Sequence, residues 1–287
     1  ARDPHGRCRV TIYHGWESGM DNSPRWDSAY ANVIPGQDLP PYVRADLDHV
    51  GGDVSMRPSD LEYDRYIWLV EQMKRAAYDD EILSGTMDFA VEDVFVSAIL
   101  AVACDVLAEI GEDHAKPLSD VRELRGWAAR FRSGVVAATN ERNGAARDFD
   151  VRAGSWINTE TIACFAPLLC GGLPRDRERA LLRLFEGPHF CGHPDLRFAV
   201  PPSTSPISPD FRAREYWRGP VWPVMTWLFS WAFAHRGWPE KSARLRAEGL
   251  RQVTDGHFAE YYEPFTGEPL GSMQQSWTAA SVLDWLD

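Results

Sequence analysis

Apolar residues recur along most of the chain at the three- to four-residue spacing of amphipathic helices. From Leu61 to Tyr78 they form one broad face, made of Leu61, Ile67, Trp68, Val70, Met73 and Ala77. The same spacing predicts further helices over residues 89–110, 118–139, 159–170, 175–185, 221–234, 240–253 and 275–286. No run alternates apolar and polar residues clearly enough to predict a strand. We therefore expect an all-α protein whose paired helices pack in layers, as a solenoid or a closed toroid.

The most irregular stretch runs from Gly187 to Phe211 and contains six prolines. We interpret it as a long surface or lid loop, because loops of this length in compact domains usually carry function. The chain has 287 residues, which fits one large domain or two small ones. Since no linker-like segment divides it, we assign residues 1–287 to a single domain.

Composition narrows the class of protein. The net charge of −12 argues against a nucleic-acid partner, because such binding depends on clustered Lys and Arg. No apolar run approaches the ~18 residues of a membrane span, and the first ten residues, ARDPHGRCRV, lack the apolar core of a secretory signal. The five cysteines are odd in number and irregularly spaced, which indicates reduced thiols. We expect a cytoplasmic protein with neither a nucleic-acid nor a membrane partner.

The segment HGWESGMDNSPRWD, residues 14–27, crowds carboxylates against indoles. Its Asp21 lies between two tryptophans, where partial desolvation would raise the carboxyl pKa toward neutrality, as a general acid requires. From residue chemistry alone the alternative is a well-capped loop with its charges facing water, in which Arg25 and Asp27 pair locally. The segment therefore indicates acid chemistry without establishing it.

Two later segments also place aromatic and charged residues in Gly/Pro turns. YWRGPVWP begins at Tyr216, and EYYEPFTGEPLG begins at Glu260 and is followed by SMQQSWTAA. Glycoside hydrolysis needs two carboxyl groups on opposite sides of a sugar ring: one protonates the leaving oxygen, and the other activates water or attacks. Acidic residues in aromatic settings at opposite ends of one chain can supply both.

The segments ESGMDNSPRWD, YWRGPVWP and EYYEPFTGEPLG with SWTAA resemble, in order and spacing, the signature segments of glycoside hydrolase family 63, and more distantly the trehalases. The resemblance runs from about Tyr13 to the C-terminus, and the short bacterial enzymes acting on glucosylglycerate and mannosylglycerate are most similar. It implies an (α/α)6 toroid and an inverting α-glycosidase that yields the hexose and glycerate. In the family pattern the Asp of the first segment is the general acid, here Asp21. The Glu that opens the third segment is the general base, here Glu260.

Inversion implies that the two carboxyl groups stand roughly 6.5–9.5 Å apart, with room for a water molecule. Three other acidic residues in these segments are rivals for the two roles. We expect Glu17 to be structural or to bind a sugar hydroxyl, and we expect Glu263 and Glu268 to organise their loop.

Substrate binding is assigned to the motif segments and to the loop SMRPSDLEY, residues 55–63. Candidates for the platform under the hexose, each with core packing as the alternative, are Trp16, Trp26, Trp217 and Trp222. A glycerate carboxylate would need a cation with hydroxyl or amide donors nearby. The resemblance favours for this pocket Arg57, Tyr63, Tyr216 and Gln275. We expect no cofactor and no metal, since the ligand types between His189 and His193 have no second cluster to complete a zinc site.

The compact family members carry more chain before the first signature segment, which here begins at residue 17. We therefore expect residues 1–287 to form a single catalytic domain, an incomplete toroid that lacks its N-terminal helices. Helices that should pack on the missing ones would expose apolar stripes and favour association, including a homo-oligomer. The alternatives for function are hydrolysis of another short α-glucoside, and an inactive remnant that binds sugar or packs against a partner chain.

Overall fold

The structure is a computed structural model, and it describes residues 2–49, 54–254 and 257–286. Helices dominate these residues. The ten α-helices are α1 Asp27–Ala31, α2 Asp60–Arg75, α3 Asp80–Thr86, α4 Val94–Asp113, α5 Leu118–Ala137, α6 Ala166–Cys170, α7 Arg175–Glu186, α8 Pro223–His235, α9 Pro239–Thr254 and α10 Ser276–Leu286. The six strands are β1 Val10–Ile12, β2 Val91–Asp93, β3 Phe149–Asp150, β4 Ser155–Trp156, β5 Tyr261–Tyr262 and β6 Pro269–Leu270.

The strands correct the all-α prediction. Strands β1 to β4 form an antiparallel sheet in that order, and β5 pairs with β6 in a hairpin. Residues 91–93, which the periodicity placed in a helix, pair with β1, and the Asp93 side chain then caps α4 by accepting from the Phe95 and Val96 N–H groups. Strands of two or three residues are too short for alternation to be visible in the sequence.

Seven of the eight predicted helices are confirmed, with ends that differ by up to five residues; the eighth, residues 159–170, is instead a 3₁₀ turn at Ile162–Phe165 followed by the short α6. Helix α2 shows why such segments begin where they do. Ser59 and Glu62 form a capping box, in which the Ser59 side chain accepts from the Glu62 N–H and the Glu62 carboxylate accepts from the Ser59 N–H. Short helices α1 and α3 and the 3₁₀ turns between the motifs were not predicted, because single turns carry no periodicity.

Two hydrophobic clusters form the interior. The larger one joins residues of α4 to α8 and includes Met20, Trp222 and Tyr261. The second joins β1, α1, α2 and β2 and includes Trp26 and Tyr66. Met20 belongs to the first cluster and Trp26 to the second, so the segment between them bridges the two. This packing fixes both ends of the loop that contains Asp21.

The proline-rich stretch from Gly187 to Phe211 is not the surface or lid loop that the sequence suggested. Its centre, residues 203–205, is buried. The Ser203 N–H donates to the Pro220 carbonyl at 3.0 Å, and the Ser205 N–H donates to the Glu160 carbonyl at 2.9 Å. The prolines allow an irregular backbone to cross the interior, where the neighbouring loops satisfy its polar groups.

Helix α4 is long and apolar enough to cross a membrane by length and composition alone. One of its faces packs in the larger cluster through Phe95, Ala98 and Ala101, so the same composition is explained by a core helix. Another face, together with α6 and α8, borders an apolar groove of about 430 Å³. The groove is lined by Ile99, Val102, Ala103, Val106, Leu107, Leu169, Trp227, Leu228 and Trp231.

Candidate active site

The loop that contains Asp21 is shaped by a buried histidine. His14 caps the 3₁₀ turn Gly15–Ser18 by accepting the Trp16 N–H on Nδ1 at 2.9 Å, and its Nε2 lies 3.0 Å from the Tyr66 carbonyl. Burial lowers the His14 pKa to about 4, so the ring is neutral and can accept on one nitrogen while it donates from the other. The chain leaves this turn through Gly19 and reaches Asp21 two residues later.

The Asp21 carboxyl has the electrostatics of an acid. Burial raises its pKa to about 6; the charge of Arg57 opposes the rise, and the charge of Glu260 adds to it. Glu260 can act on Asp21 in this way only if the two carboxyl groups share one site. Residues from opposite ends of the chain are therefore brought together.

Ion pairs hold the loop after Asp21 at two points, a buried one at Arg25 and a partly exposed one at Asp27. Arg25 is fully enclosed and donates to Asp148 through Nε and Nη2 at 2.8 Å, and to Asp93 through Nη2 at 2.7 Å. Asp27 accepts two bonds from Arg218, at 2.6 and 2.8 Å. The expected local pair between Arg25 and Asp27 is thus wrong, because each residue pairs with a distant part of the chain.

Asn22 joins this loop to the YWRGPVWP segment. Its Oδ1 accepts the Trp217 N–H at 2.9 Å, and its Nδ2 donates to Glu215 Oε1 at 3.3 Å. Its main-chain carbonyl accepts from Arg218 Nη1 at 3.3 Å. Asn22 was not among the predicted site residues, although its position next to Asp21 in the first motif was the available signal.

Tyr216 lies at the centre of the cluster. Its backbone φ is 34°, in the left-handed region that side chains disfavour. Its hydroxyl donates to Glu260 Oε1 at 3.2 Å, and the Arg57 guanidinium lies 4.2 Å from its ring centroid. Trp222 and Tyr261 contact the ring edge-on. Such backbone strain persists only where the surroundings impose it, and it is concentrated at functional sites.

Glu260 is buried beside the hairpin of β5 and β6. Its N–H donates to the Ser272 carbonyl at 2.7 Å, and the Ser272 N–H donates back to Glu260 Oε2 at 3.2 Å. Arg57 Nη2 lies 3.9 Å from the same oxygen. Hydroxyl, amide and guanidinium donors thus surround a carboxylate that the fold keeps out of bulk water.

Arg57 and Tyr63 approach the cluster from the start of α2. Among the described residues, the buried Arg57 Nε has no hydrogen-bond partner. Tyr63 stacks on Tyr42 and lies under the Arg44 guanidinium, at 4.3 Å. Burial raises the pKa of Tyr63, and the charges of Asp21 and Arg57 act on its hydroxyl. The structure therefore brings Asp21, Arg57, Tyr63, Tyr216 and Glu260 into one site.

The tryptophans have two kinds of surroundings. Trp16 is half-buried and contacts Tyr63 edge-on. Trp26, Trp217 and Trp222 are buried. The last two stack face to face with centroids 3.9 Å apart, and Trp222 also stacks on Tyr261. This stack packs beneath Tyr216, so its direct neighbours are protein rings.

The two remaining predicted residues, Glu17 and Gln275, make contacts with other neighbours. Glu17 accepts the Tyr13 N–H at 2.6 Å and pairs with Arg2, which ties its carboxylate to the N-terminal strand. Gln275 is half-buried just before α10, and its side-chain oxygen accepts the Ser276 N–H at 3.1 Å.

Both rival carboxylates have other partners, Glu263 within its own loop and Glu268 in a distant segment. Glu263 accepts the Phe265 N–H at 2.9 Å and the Thr266 hydroxyl at 2.7 Å. Glu268 accepts two bonds from Arg214, at 2.5 and 3.1 Å.

The histidine pair downstream has other partners. His189 Nδ1 lies 3.0 Å from Glu160 Oε2, and Cys191 is buried. In the described part of the chain, no three His, Cys, Asp or Glu side chains are grouped as a metal site would need.

Taken together, one half-buried carboxyl whose pKa is raised to about 6 lies in the same site as a second carboxyl that is surrounded by donors. This is the arrangement that acid–base hydrolysis of a glycoside uses. Residues 1–278 match the family model of the mannosylglycerate hydrolase MGH1-like glycoside hydrolase domain. The chain belongs to this family. The resemblance to family 63 hydrolases is confirmed.

Relatives of this MGH1-like chain are longer than it is. The glucosylglycerate hydrolase of Mycolicibacterium hassiacum is 70% identical over 285 residues, which cover 99% of this chain and 64% of that protein. Mannosylglycerate hydrolase MGH1 of Selaginella moellendorffii is 38% identical over 287 residues, which cover 100% of this chain and 57% of that protein. The crystal structure of the GH63 mannosylglycerate hydrolase from Thermus thermophilus in complex with Tris and D-glycerate matches with a TM-score of 0.90 and 35% sequence identity. The match covers 100% of this chain and 67% of that one. The MGH1-like chain thus spans 57% to 67% of these three relatives.

Proposed function

We propose that this chain carries the catalytic site of an inverting α-glycosidase that hydrolyses glucosylglycerate, or mannosylglycerate, to the hexose and glycerate. Asp21 is the general acid and Glu260 the general base. The observation that carries the proposal is the contrast within one site: burial raises the pKa of Asp21 to about 6, while Tyr216 and Ser272 donate to Glu260. The 70% identical glucosylglycerate hydrolase favours the glucosyl substrate.

The acid step uses the proton that Asp21 retains. At a pH near 6 a substantial fraction of Asp21 is protonated, whereas an ordinary aspartate would be ionised. As the bond between the anomeric carbon and the glycosidic oxygen breaks, Asp21 transfers its proton to that oxygen, and glycerate leaves as a neutral alcohol at this position. The Asp21 carboxylate that results is stabilised by the charge of Arg57.

The base step takes place on the opposite face of the sugar. Glu260 removes a proton from a water molecule while the water oxygen attacks the anomeric carbon, so the hexose is released with inverted configuration. Donation from the Tyr216 hydroxyl and the Ser272 N–H fixes the orientation of the carboxylate before the water arrives. The products leave Asp21 ionised and Glu260 protonated, and exchange with solvent restores both.

The aglycone carboxylate fits the Arg57 side of the site. Arg57 is buried, carries a permanent charge, and its Nε is without a partner among the described residues. Tyr63, Tyr216 and Gln275 supply hydroxyl and amide groups from three different segments. A carboxylate held by a guanidinium and such donors receives charge-assisted hydrogen bonds, which discriminate against an uncharged aglycone. Trp16 and Glu17 border the hexose side, with Trp217 and Trp222 as the packed support of Tyr216.

Substrate class is tested by comparing glucosylglycerate with trehalose in wild type and in Arg57→Ala. We expect kcat/KM for glucosylglycerate to fall roughly a hundredfold, as for loss of a charge-assisted bond, and kcat/KM for trehalose to fall clearly less, since only the stabilisation of the Asp21 carboxylate by Arg57 is lost there. Arg44→Ala is the matched control, because Arg44 also covers a site tyrosine but pairs with Asp46 and Asp60.

Each other outcome identifies an alternative. Equal losses on both substrates would contradict glycerate recognition and favour a hydrolase of another short α-glucoside. Sugar binding without any turnover, unchanged by Asp21→Asn, would favour the inactive remnant.

The broader expectations are part of the same proposal. The helices form part of an (α/α)6 toroid, with the apolar groove of α4, α6 and α8 as a surface on which further helices of such a ring pack. The enzyme acts in the cytoplasm on a small glycoside, without a cofactor. Light scattering of the purified chain tests for the homo-oligomer that an uncovered apolar groove would favour.

A further inference from the structure

Gly271 follows β6 and faces the carboxylate of Glu260. Its φ is 71°, and the next residue, Ser272, both accepts the Glu260 N–H and donates to Glu260 Oε2. A Cβ added at Gly271 would lie 2.6 Å from Glu260 Oε2, 2.7 Å from a ring carbon of Tyr261 and 2.9 Å from Glu260 Cβ. All three distances are below those that real Cβ atoms keep. The bare Cα of Gly271 therefore forms one wall of the space that holds the carboxylate.

The neighbours of that space cannot all yield to a methyl group. Tyr261 is fully buried and stacks on Trp222 at 4.8 Å. The Tyr216 ring lies between Arg57 and Trp222, and its hydroxyl donates to Oε1, the other carboxylate oxygen of Glu260. The Glu260 carboxyl group, at the end of a rotatable side chain, is the part that can move. A methyl group at position 271 would push Oε2 away from the Ser272 N–H.

We propose that Gly271 is a positioning residue for Glu260: the absence of a side chain there lets Ser272 and Tyr216 hold the carboxylate in the orientation that activates water. This inference rests on the proposed function, since it assigns Gly271 to the base of that reaction. It also predicts which step suffers. Misplacing the base by a fraction of an ångström slows the chemical step more than it weakens substrate binding.

The experiment must separate contact with Glu260 from backbone strain, because alanine at a positive φ is strained in any surroundings. Gly237, after α8, has φ 78°, and a Cβ there would meet nothing within 4 Å. Gly237→Ala thus reproduces the strain without the contact. Both variants are made in the full chain and compared with wild type for melting temperature, kcat and KM on glucosylglycerate.

We expect the Gly237 variant to lose melting temperature and to keep the kcat of wild type. Gly271→Ala should lower kcat roughly ten- to a hundredfold, with KM changed less than about threefold. In a Glu260→Asp background, whose shorter side chain removes the contact with Oε2 but keeps those with the Cβ of residue 260 and with Tyr261, Gly271→Ala should lower kcat by a smaller factor than it does in wild type. Equal kcat in the two glycine variants, or a full additional loss in the Glu260→Asp background, would overturn the inference.

A second readout does not depend on turnover. The ¹³C resonance of the Glu260 side-chain carboxyl, assigned by its loss in Glu260→Gln, should shift in Gly271→Ala and stay in place in Gly237→Ala. If wild type hydrolyses none of the substrates, the proposed function fails, and this resonance alone tests the positioning. A Glu260 resonance that is the same in wild type and Gly271→Ala would overturn the positioning role whatever the activity.

Discussion

The two ends of the site treat the same chemical group in opposite ways. In the loop of residues 14–27, partial burial of Asp21 raises its pKa to about 6, against the opposing charge of Arg57 and a hydrogen bond from the residue's own backbone. The hairpin of β5 and β6 instead offers Glu260 a hydroxyl from Tyr216 and an N–H from Ser272. Burial outweighs the stabilisation that Arg57 gives the charge of Asp21, whereas Glu260 receives two hydrogen-bond donors.

In the proposed mechanism, the surroundings, and not the residue type, assign the acid role to one group and the base role to the other. A carboxyl that retains a proton can give one, and a carboxylate held by donors can take one. The two groups also interact, because the charge of Glu260 contributes to the raised pKa of Asp21. Changes at either end should therefore break the contrast in predictable ways.

Removing either group should have the largest effect. Asp21→Asn removes the proton that leaves with the aglycone, and Glu260→Gln removes the acceptor for the proton of water. Each should lower kcat by roughly three orders of magnitude, the range of general acid–base catalysis, while binding of a substrate analogue is retained. Steady-state kinetics and calorimetric titration measure the two quantities. Wild-type-like rates in either variant would remove that residue from its role.

The pH dependence should show the acid directly. Because Asp21 must be protonated, kcat/KM should fall as the pH rises above about 6. The raised pKa also means that the folded protein binds the Asp21 proton more tightly than the unfolded chain does. Its contribution to the free energy of unfolding is complete below the unfolded-state pKa, near 4, and is lost as the pH rises through 6.

At pH 8, Asp21→Asn should therefore unfold at a higher urea concentration than wild type, with a free energy of unfolding that is larger by at most about 3 kcal/mol. Near pH 4 the two proteins should be equally stable. Urea titrations at both pH values measure the difference. An equal difference at the two pH values would contradict a raised pKa.

Weakening the hold on Glu260 should cost less. Tyr216→Phe keeps the ring under Arg57 and against Trp222 but removes the hydroxyl that donates to Glu260. A hydrogen bond to a charged group contributes about 1.5–3 kcal/mol, so kcat should fall roughly ten- to a hundredfold. If kcat is unchanged and only KM rises, Tyr216 serves the aglycone and not the base.

The smallest effect is expected at Glu17, the rival acid of the first motif. Its carboxylate is engaged by the Tyr13 N–H and by Arg2, so Glu17→Gln should change kcat less than about threefold and lower the melting temperature by a few degrees. Rate and melting curves of this variant are compared with those of Asp21→Asn. A large loss of kcat with unchanged melting would assign Glu17 to the chemistry.

Much of this molecule was accessible from its sequence. Helices longer than three turns, such as α4 and α5, repeat an apolar face often enough to be recognised. The strands escaped because two or three residues show no alternation. The long Gly/Pro stretch after α7 looked like a lid, although contacts from Pro220 and Glu160 bury its centre. Such contacts come from remote segments and leave no local signature.

The site divides in the same way. Motif residues such as Asp21, Tyr216 and Glu260 were visible as chemistry crowded into short turns. The partners that orient them were not, because Asn22 and Gly271 are ordinary loop residues until the fold shows what they face. The prediction of an Arg25–Asp27 pair was wrong for this reason. The two residues are close in sequence and opposite in charge, yet Arg25 pairs with Asp148 and Asp27 pairs with Arg218.

The amide of Asn22 ties positions 195 residues apart in the chain. Closing so long a span costs conformational entropy before any contact repays it, which slows the search for the native arrangement. A nascent polypeptide that has emerged only as far as α5 holds Asp21 without the segment that orients it. In the proposed mechanism, proton transfer from Asp21 therefore becomes possible only late in folding, when the segments of Asn22 and Trp217 meet.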